Sequence, residues 1–208
     1  MFYTSKAPCE AGLSPSHLGM TRTKASSSSL DQKLHTAAGN RLAHRLTDRL
    51  AWRPVQQDDL SHLVAIFSQP AVVAHRPDPT PETQDDCRRR LELELDHWRI
   101  HGFGRWALEY AGKVIGFGGL GFRDSFAGLN LSYHLHPGYW RRGLAGEFAQ
   151  AAVEIALYDL QAPQVIGLVR PVNQASQRVL EKAGLRFQRP ITYGGHPGLL
   201  YLKRRGKD

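Results

Sequence analysis

A single mixed α/β domain, a largely antiparallel sheet with helices packed on it, is the fold class that three patterns in the sequence predict. Between Arg105 and His136, three stretches alternate apolar and polar residues and are separated by short breaks, as in an antiparallel meander. Apolar residues recur at helical spacing before this meander and after it. The run Val165-Ile166-Gly167-Leu168-Val169 carries no polar side chain, as expected of a strand covered on both faces and therefore parallel to a neighbour.

Residues 46–53 alternate well enough for a first strand, which Pro54 closes. Asp58 or Asp59 can cap a helix that places Leu60, Leu63, Val64 and Phe67 on one face. A proline-rich connection from Pro70 to Pro81 leads to a second helix with Leu91, Leu95 and Trp98 on one side, ended by Gly102 and Gly104. Residues 105–110 and 113–122 are strands joined by a turn at Ala111-Gly112, and residues 129–136 form the third strand of the meander. Pro137-Gly138 breaks it. A helix starts at Gly143, with Phe148, Ala149, Ala152, Val153, Ala156 and Leu157 at helical spacing. After strand 165–169 comes a helix over 173–183, stopped by Gly184, and then strands 185–189 and 199–203. The predicted order is βααβββαβαββ.

The chain has 208 residues, 41% hydrophobic and 22% charged, which suits one globular domain with an extension. The extension is residues 1–45. It contains four consecutive serines (Ser26 to Ser29) and no sustained apolar period, so it is expected to be a disordered basic tail, with residues 46–208 forming the domain. Six of the chain's cations and two of its acids fall there, half of the net +8. Its composition also weakly resembles a transit peptide, and a mis-assigned start would look the same. No apolar stretch reaches the roughly 20 residues of a membrane span. Cys9 and Cys87 are too few for a disulfide scaffold or a cysteine-built zinc site, which fits a reducing, cytoplasmic compartment. The basic charge favours phosphate-bearing partners. A nucleic acid is not expected, because no recognition motif or interleaved aromatics accompany the Lys/Arg residues.

The segment from Gly138 to Gly146 joins a strand to a helix and is rich in small residues, so several backbone N–H groups and a helix dipole can converge on an anion. Arg141 and Arg142 add charge at its rim. Neither a Walker loop nor a dinucleotide fingerprint is present. A plainer reading is that Gly143 and Ala145 only let the helix approach the sheet.

The stretch Asn173-Gln174-Ala175-Ser176-Gln177-Arg178-Val179-Leu180-Glu181-Lys182-Ala183-Gly184-Leu185-Arg186-Phe187, taken with Tyr139-Trp140-Arg141-Arg142-Gly143-Leu144-Ala145, resembles the signatures of the GNAT acetyltransferase superfamily. The likeness is closest to the branch containing ribosomal-protein N-terminal acetyltransferases and runs from about Leu46 to about Tyr201. It implies a GNAT-like sheet with splayed parallel central strands, and acetyl-CoA as co-substrate. In the cofactor-binding loop, which also includes Arg141 and Leu144, the amides of Arg142, Gly143, Ala145 and Gly146 would contact the pyrophosphate, and Asn173 would bond the pantetheine arm. A backbone N–H near Leu135 would polarise the thioester carbonyl. The tyrosine that many relatives use as proton donor is replaced by Leu180, leaving Ser176, whose plainer role, like that of Asn173, is to cap its helix.

Relatives often carry a glutamate as base where Asn130 stands. His134 is the candidate in its place, with His136, Glu109, His75 or water-mediated deprotonation as alternatives. His134 and His136, two apart on a strand, could form a zinc pair, but two ligands do not make a site and no metal is expected. Trp98, Trp106, Phe117 and Tyr133 read as packing residues, Cys87 as a solvated helix residue, and Arg88 to Arg90 as a helix face in water. The function implied is direct acetyl transfer to a primary amine, on a protein N-terminus or a small molecule, by a monomer or homodimer. A non-catalytic acyl-CoA or RNA-binding module on the same fold is the alternative.

Overall fold

The computed structural model describes residues 42–206, so the expected disorder of the tail lies almost wholly outside the described residues. Eight strands form one sheet in the order β1-β2-β3-β4-β5-β6-β8-β7. The strands are β1 (Arg45–Leu46), β2 (Leu50–Pro54), β3 (Arg105–Tyr110), β4 (Lys113–Arg123), β5 (Phe126–Leu135), β6 (Gln164–Val169), β7 (Arg186–Tyr193) and β8 (His196–Arg204). Among the described residues, five α-helices accompany them: α1 (Leu60–Phe67), α2 (Pro70–Val73), α3 (Gln84–His101), α4 (Leu144–Glu154) and α5 (Gln174–Lys182). Every strand pairing is antiparallel except that of β5 with β6.

The predicted first strand is two strands. Thr47 folds back to donate its N–H to the Leu50 carbonyl at 2.9 Å, and β1 pairs antiparallel with β2. Packing against the sheet reaches back to Leu42. Leu42 is buried, and its carbonyl accepts the Trp106 indole N–H at 2.9 Å. Asp59 does not cap α1 with its side chain. It accepts both terminal nitrogens of Arg53 at 2.8 Å and the Gln56 amide at 2.8 Å, clamping β2 to the turn before α1. Burial pushes the Asp59 carboxyl up, but these donors outweigh it and hold the group below its usual range.

Thr83 and Asp86 form a reciprocal capping box on α3. The far end of α3 stops at Gly102, whose φ of 70° is the left-handed conformation glycine favours. Cys87 is a core residue, fully buried, and burial pushes its thiol up to about 11. The charges flanking it suggested exposure, but its helical spacing with Leu91 places it on the inner face. Arg88 and Arg89 are exposed, as expected of a face in water, whereas Arg90 turns inward over the Phe67 ring.

One core fills the sheet face under α4 and α5, with Trp52, Trp106 and Phe148 fully enclosed. A second lies under α1 and α3 around Phe67, Leu91 and Phe117. Gly167 lets α5 approach β6, since a Cβ there would stand 2.6 Å from Leu180. Leu180 is therefore core, and no tyrosine hydroxyl is available from that position.

Candidate active site

The site is built where the sheet divides. β5 and β6 pair only at Leu129–Val165 and Asn130–Ile166. β5 then continues to Leu135 along β4, and β6 to Val169 along β8, so a gap opens between them. The His136 N–H donates to Ile115 at 2.8 Å, on the β4 side. Because amides alternate in direction along a strand, the N–H of Leu135 points the other way, toward the gap.

The loop beyond β5 makes a 3-10 turn at Pro137–Tyr139, in which His136 Nδ1 accepts the Gly138 amide at 3.1 Å. Trp140 donates its indole N–H to the Leu135 carbonyl at 2.8 Å, fixing the loop to the strand end. Positive φ at Arg141 (61°) and Gly143 (78°) turns the chain into α4. No side chain caps α4, so its first-turn N–H groups stand open for an anion. Arg141 and Arg142 are exposed at the rim, with the Arg142 guanidinium 5.4 Å from the Tyr139 ring centre. Arg49 straps the loop, donating to the Arg142 carbonyl at 2.8 Å and to Glu147 at 2.7 Å. Leu144 is 1% exposed, so its side chain belongs to the core and only its backbone faces outward. Ala145 and Gly146 are half-buried. A Cβ on Gly146 would meet nothing within 4 Å, leaving room for a ligand.

Across the gap, the Asn173 side chain accepts the Ser176 amide at 3.1 Å, so Asn173 does cap α5. The Ser176 hydroxyl lies near that of Tyr133, without completing a well-formed hydrogen bond to it. Burial pushes the Tyr133 phenol up to about 12, with Ser176 pulling slightly the other way, so the phenol stays protonated and can donate. From the sequence Tyr133 reads as mainly a packing residue. Its ring does pack, 6.4 Å from Phe148, but a tyrosine on the core side of a strand still needs a partner for its hydroxyl.

His134 lies on the opposite sheet face, its ring 4.8 Å from Phe67 and 6.3 Å from His75. Burial pushes its imidazole well down, and Arg105, Arg90 and Arg76 push it further. It is held neutral and is a weak base. His75 is lowered likewise, by burial and then by Arg76 and Arg170. His136, turned into its own loop, has different surroundings from His134. Glu109 is bound by Arg53 at 2.8 Å on β3. Asn130 is buried on the His134 face, with its side-chain oxygen unpartnered.

The site is thus a split sheet with an uncapped helix start at its mouth. The chain belongs to the GNAT acetyltransferase family: the Acetyltransferase (GNAT) domain model matches residues 49–186. YkkB of Bacillus subtilis (strain 168), an uncharacterised protein, is 23% identical over 164 residues, covering 76% of this chain and 94% of its own. RimL, a ribosomal alpha-N-protein acetyltransferase solved with coenzyme A, superposes with a TM-score of 0.67 at 14% identity, covering 79% of this chain and 98% of its own. AAC(6')-Ib solved with ribostamycin and coenzyme A superposes with a TM-score of 0.65 at 19% identity, covering 76% of this chain and 94% of its own. No described helix is long and apolar enough to cross a membrane.

Proposed function

We propose that the protein transfers the acetyl group of acetyl-CoA directly to a primary amine held in the same ternary complex. The observation that carries this reading is the parting of β5 from β6 beside the open N-terminus of α4. In the proposed arrangement, amides from Arg142 to Gly146 hold the pyrophosphate, with Arg141 and Arg142 adding charge outside. Asn173 keeps the pantetheine side of the gap in place. The amine nitrogen attacks the thioester carbonyl carbon, and the Leu135 N–H stabilises the charge that develops on the carbonyl oxygen. The C–S bond then breaks. The attacking nitrogen loses its extra proton to water, and a proton is relayed from water through the hydroxyls of Tyr133 and Ser176 to the departing thiolate, so both hydroxyls end protonated and the products are the amide and the free thiol.

Coenzyme A in the RimL and AAC(6')-Ib structures supports acetyl-CoA as the carrier, although those two proteins act on different acceptors. The test is acetyl-CoA consumption, read as free thiol, in the presence of lysate peptides and metabolites, followed by mass spectrometry of the products. Acetylated amines that appear only with the protein are expected. Acetyl-CoA binding without any acetylated product would favour a non-catalytic module instead.

A further inference from the structure

The sheet face under α3 holds a cavity of about 20 Å³, lined by Glu94 and His97 from α3, Arg105 from β3, Arg123 from β4, and Asn130 and Ser132 from β5. It lies at the root of the gap, because Asn130 is the last residue of β5 paired with β6 and Ser132 stands just past the parting. Three of these side chains carry a buried polar atom with no partner among the described residues: Arg105 Nη1, Asn130 Oδ1 and His97 Nε2. Leaving three such atoms unpaired around one small space is costly, and folded proteins rarely tolerate it.

The hydrogen-bonding sense of each atom is fixed. Arg105 donates through Nε to Glu94 and through Nη2 to Ser132, both at 2.9 Å, which holds the guanidinium in place and leaves Nη1 as a free donor. His97 Nδ1 lies 2.7 Å from the Phe103 carbonyl oxygen, which can only accept. Nδ1 therefore carries the ring proton, and Nε2 of the neutral imidazole is an acceptor. Asn130 Oδ1 accepts as well. A guest that satisfies all three accepts one hydrogen bond and donates two.

Few species meet that demand. An anion has no proton to give Asn130 and His97, and it would face the Glu94 carboxylate on the wall. A metal cation has nothing with which to accept from Arg105, and it would lie beside two guanidiniums. A water molecule needs roughly 10–15 Å³ and two to four polar partners, and it has two protons to donate and lone pairs to accept with.

We infer that a single water molecule is a built-in component of the domain at this place, accepting from Arg105 Nη1 and donating to Asn130 Oδ1 and His97 Nε2. It joins α3, β3 and β5. Arg105 then holds Ser132 directly and Asn130 through the water, so the strand is tied down on both sides of the point where β5 leaves β6. The site stands independently of the acetyl-transfer reading.

The test is a high-resolution crystal structure of the whole chain together with oxygen-17 relaxation dispersion in solution, which counts long-lived bound waters. The density should show one water about 2.7–3.2 Å from each of the three atoms. The count should fall by one in Asn130→Leu, which removes one acceptor at similar side-chain size, or in His97→Phe should the first variant fold poorly. In the same variant, amide hydrogen exchange over residues 129–131 and 165–167 should quicken about tenfold while the β7–β8 ladder keeps its rate. Direct bonds among the three side chains with no density between them overturn the inference. So does a peak that bromide replaces in a soaked crystal, which makes the guest an anion, and so does a water count that the folded variant leaves unchanged. Unaltered exchange at the seam overturns the tethering.

Discussion

At the residue scale, the two ends of the bound thioester make different demands on side chains. Gly146 has ordinary helical backbone and open space before it, so Gly146→Glu places a carboxylate against the proposed phosphate without disturbing the fold. Calorimetry should show acetyl-CoA affinity down by a factor on the order of 100 or more with the melting temperature kept, from repulsion and steric block together. Gly143→Glu should lose affinity too, but also stability, since a side chain at a φ of 78° costs about 1–2 kcal/mol. At the sulfur end, Ser176→Ala should lower kcat roughly 10- to 100-fold, the modest end of general-acid effects, because a thiolate leaves easily unprotonated. Tyr133→Phe separates two roles. If the hydroxyl only packs, removing an unpartnered buried group leaves stability equal or higher and kcat unchanged. If it backs Ser176, kcat falls in a protein that melts no lower. Tyr133 was hidden among packing aromatics because the sequence does not say that α5 brings Ser176 to it across the gap. Cys87 was legible after all: its spacing with Leu91 and Trp98 is helical, and the charges beside it were the distraction.

At the scale of elements, the strands and helices follow from local pattern, and most of their misreadings concern ends. Ala111-Gly112 takes positive φ at both positions, as the tight turn read from those two residues demands. Residues 126–128, 190–193 and 196–198 are strand although Gly, Pro and polar residues interrupt their alternation. Ladder pairing with β4, and between β7 and β8, holds them extended all the same. The contact of Leu42 is not legible in the sequence because Leu42 stands alone in a polar stretch, and only the folded sheet supplies the Trp106 indole that meets its carbonyl. A chain beginning at residue 42 should therefore keep its stability, while one beginning at Leu46 should lose about 3 kcal/mol, from the buried leucine and the orphaned indole together. That is roughly 6–12 °C in melting temperature. Equal melting curves for the two chains would place Leu42 outside the cooperative core.

At the scale of the whole molecule, the acids that tie elements together respond to pH in one direction. Asp59 joins β2 to the turn before α1, Glu82 gathers Arg76 and Arg90, and Glu147 on α4 is held by Thr47 and Arg49. Burial pushes each carboxyl up, but the donors around it win and hold it below its usual range. Groups with depressed folded pKa stabilise the protein above their unfolded values near 4, and that contribution is lost as pH falls through the folded values. The melting temperature should be flat above about pH 5 and fall by on the order of 10 °C toward pH 3. Asp59→Asn should flatten part of that slope, and a stability that rises on acidification would contradict the assignment.

The short seam between β5 and β6 has a mechanical consequence. Two register pairs join a plate of five strands to a plate of three, whereas the ladders on either side, β4 with β5 and β6 with β8, run through six or more. Under a load applied across the sheet, the molecule should part first along this seam, with α4 packed against α5 as its remaining brace. A molecule of acetyl-CoA lodged between the plates would act as a rivet. The force needed to separate them in a single-molecule pulling experiment should then rise with acetyl-CoA concentration, while the force that strips β8 from β7 stays the same.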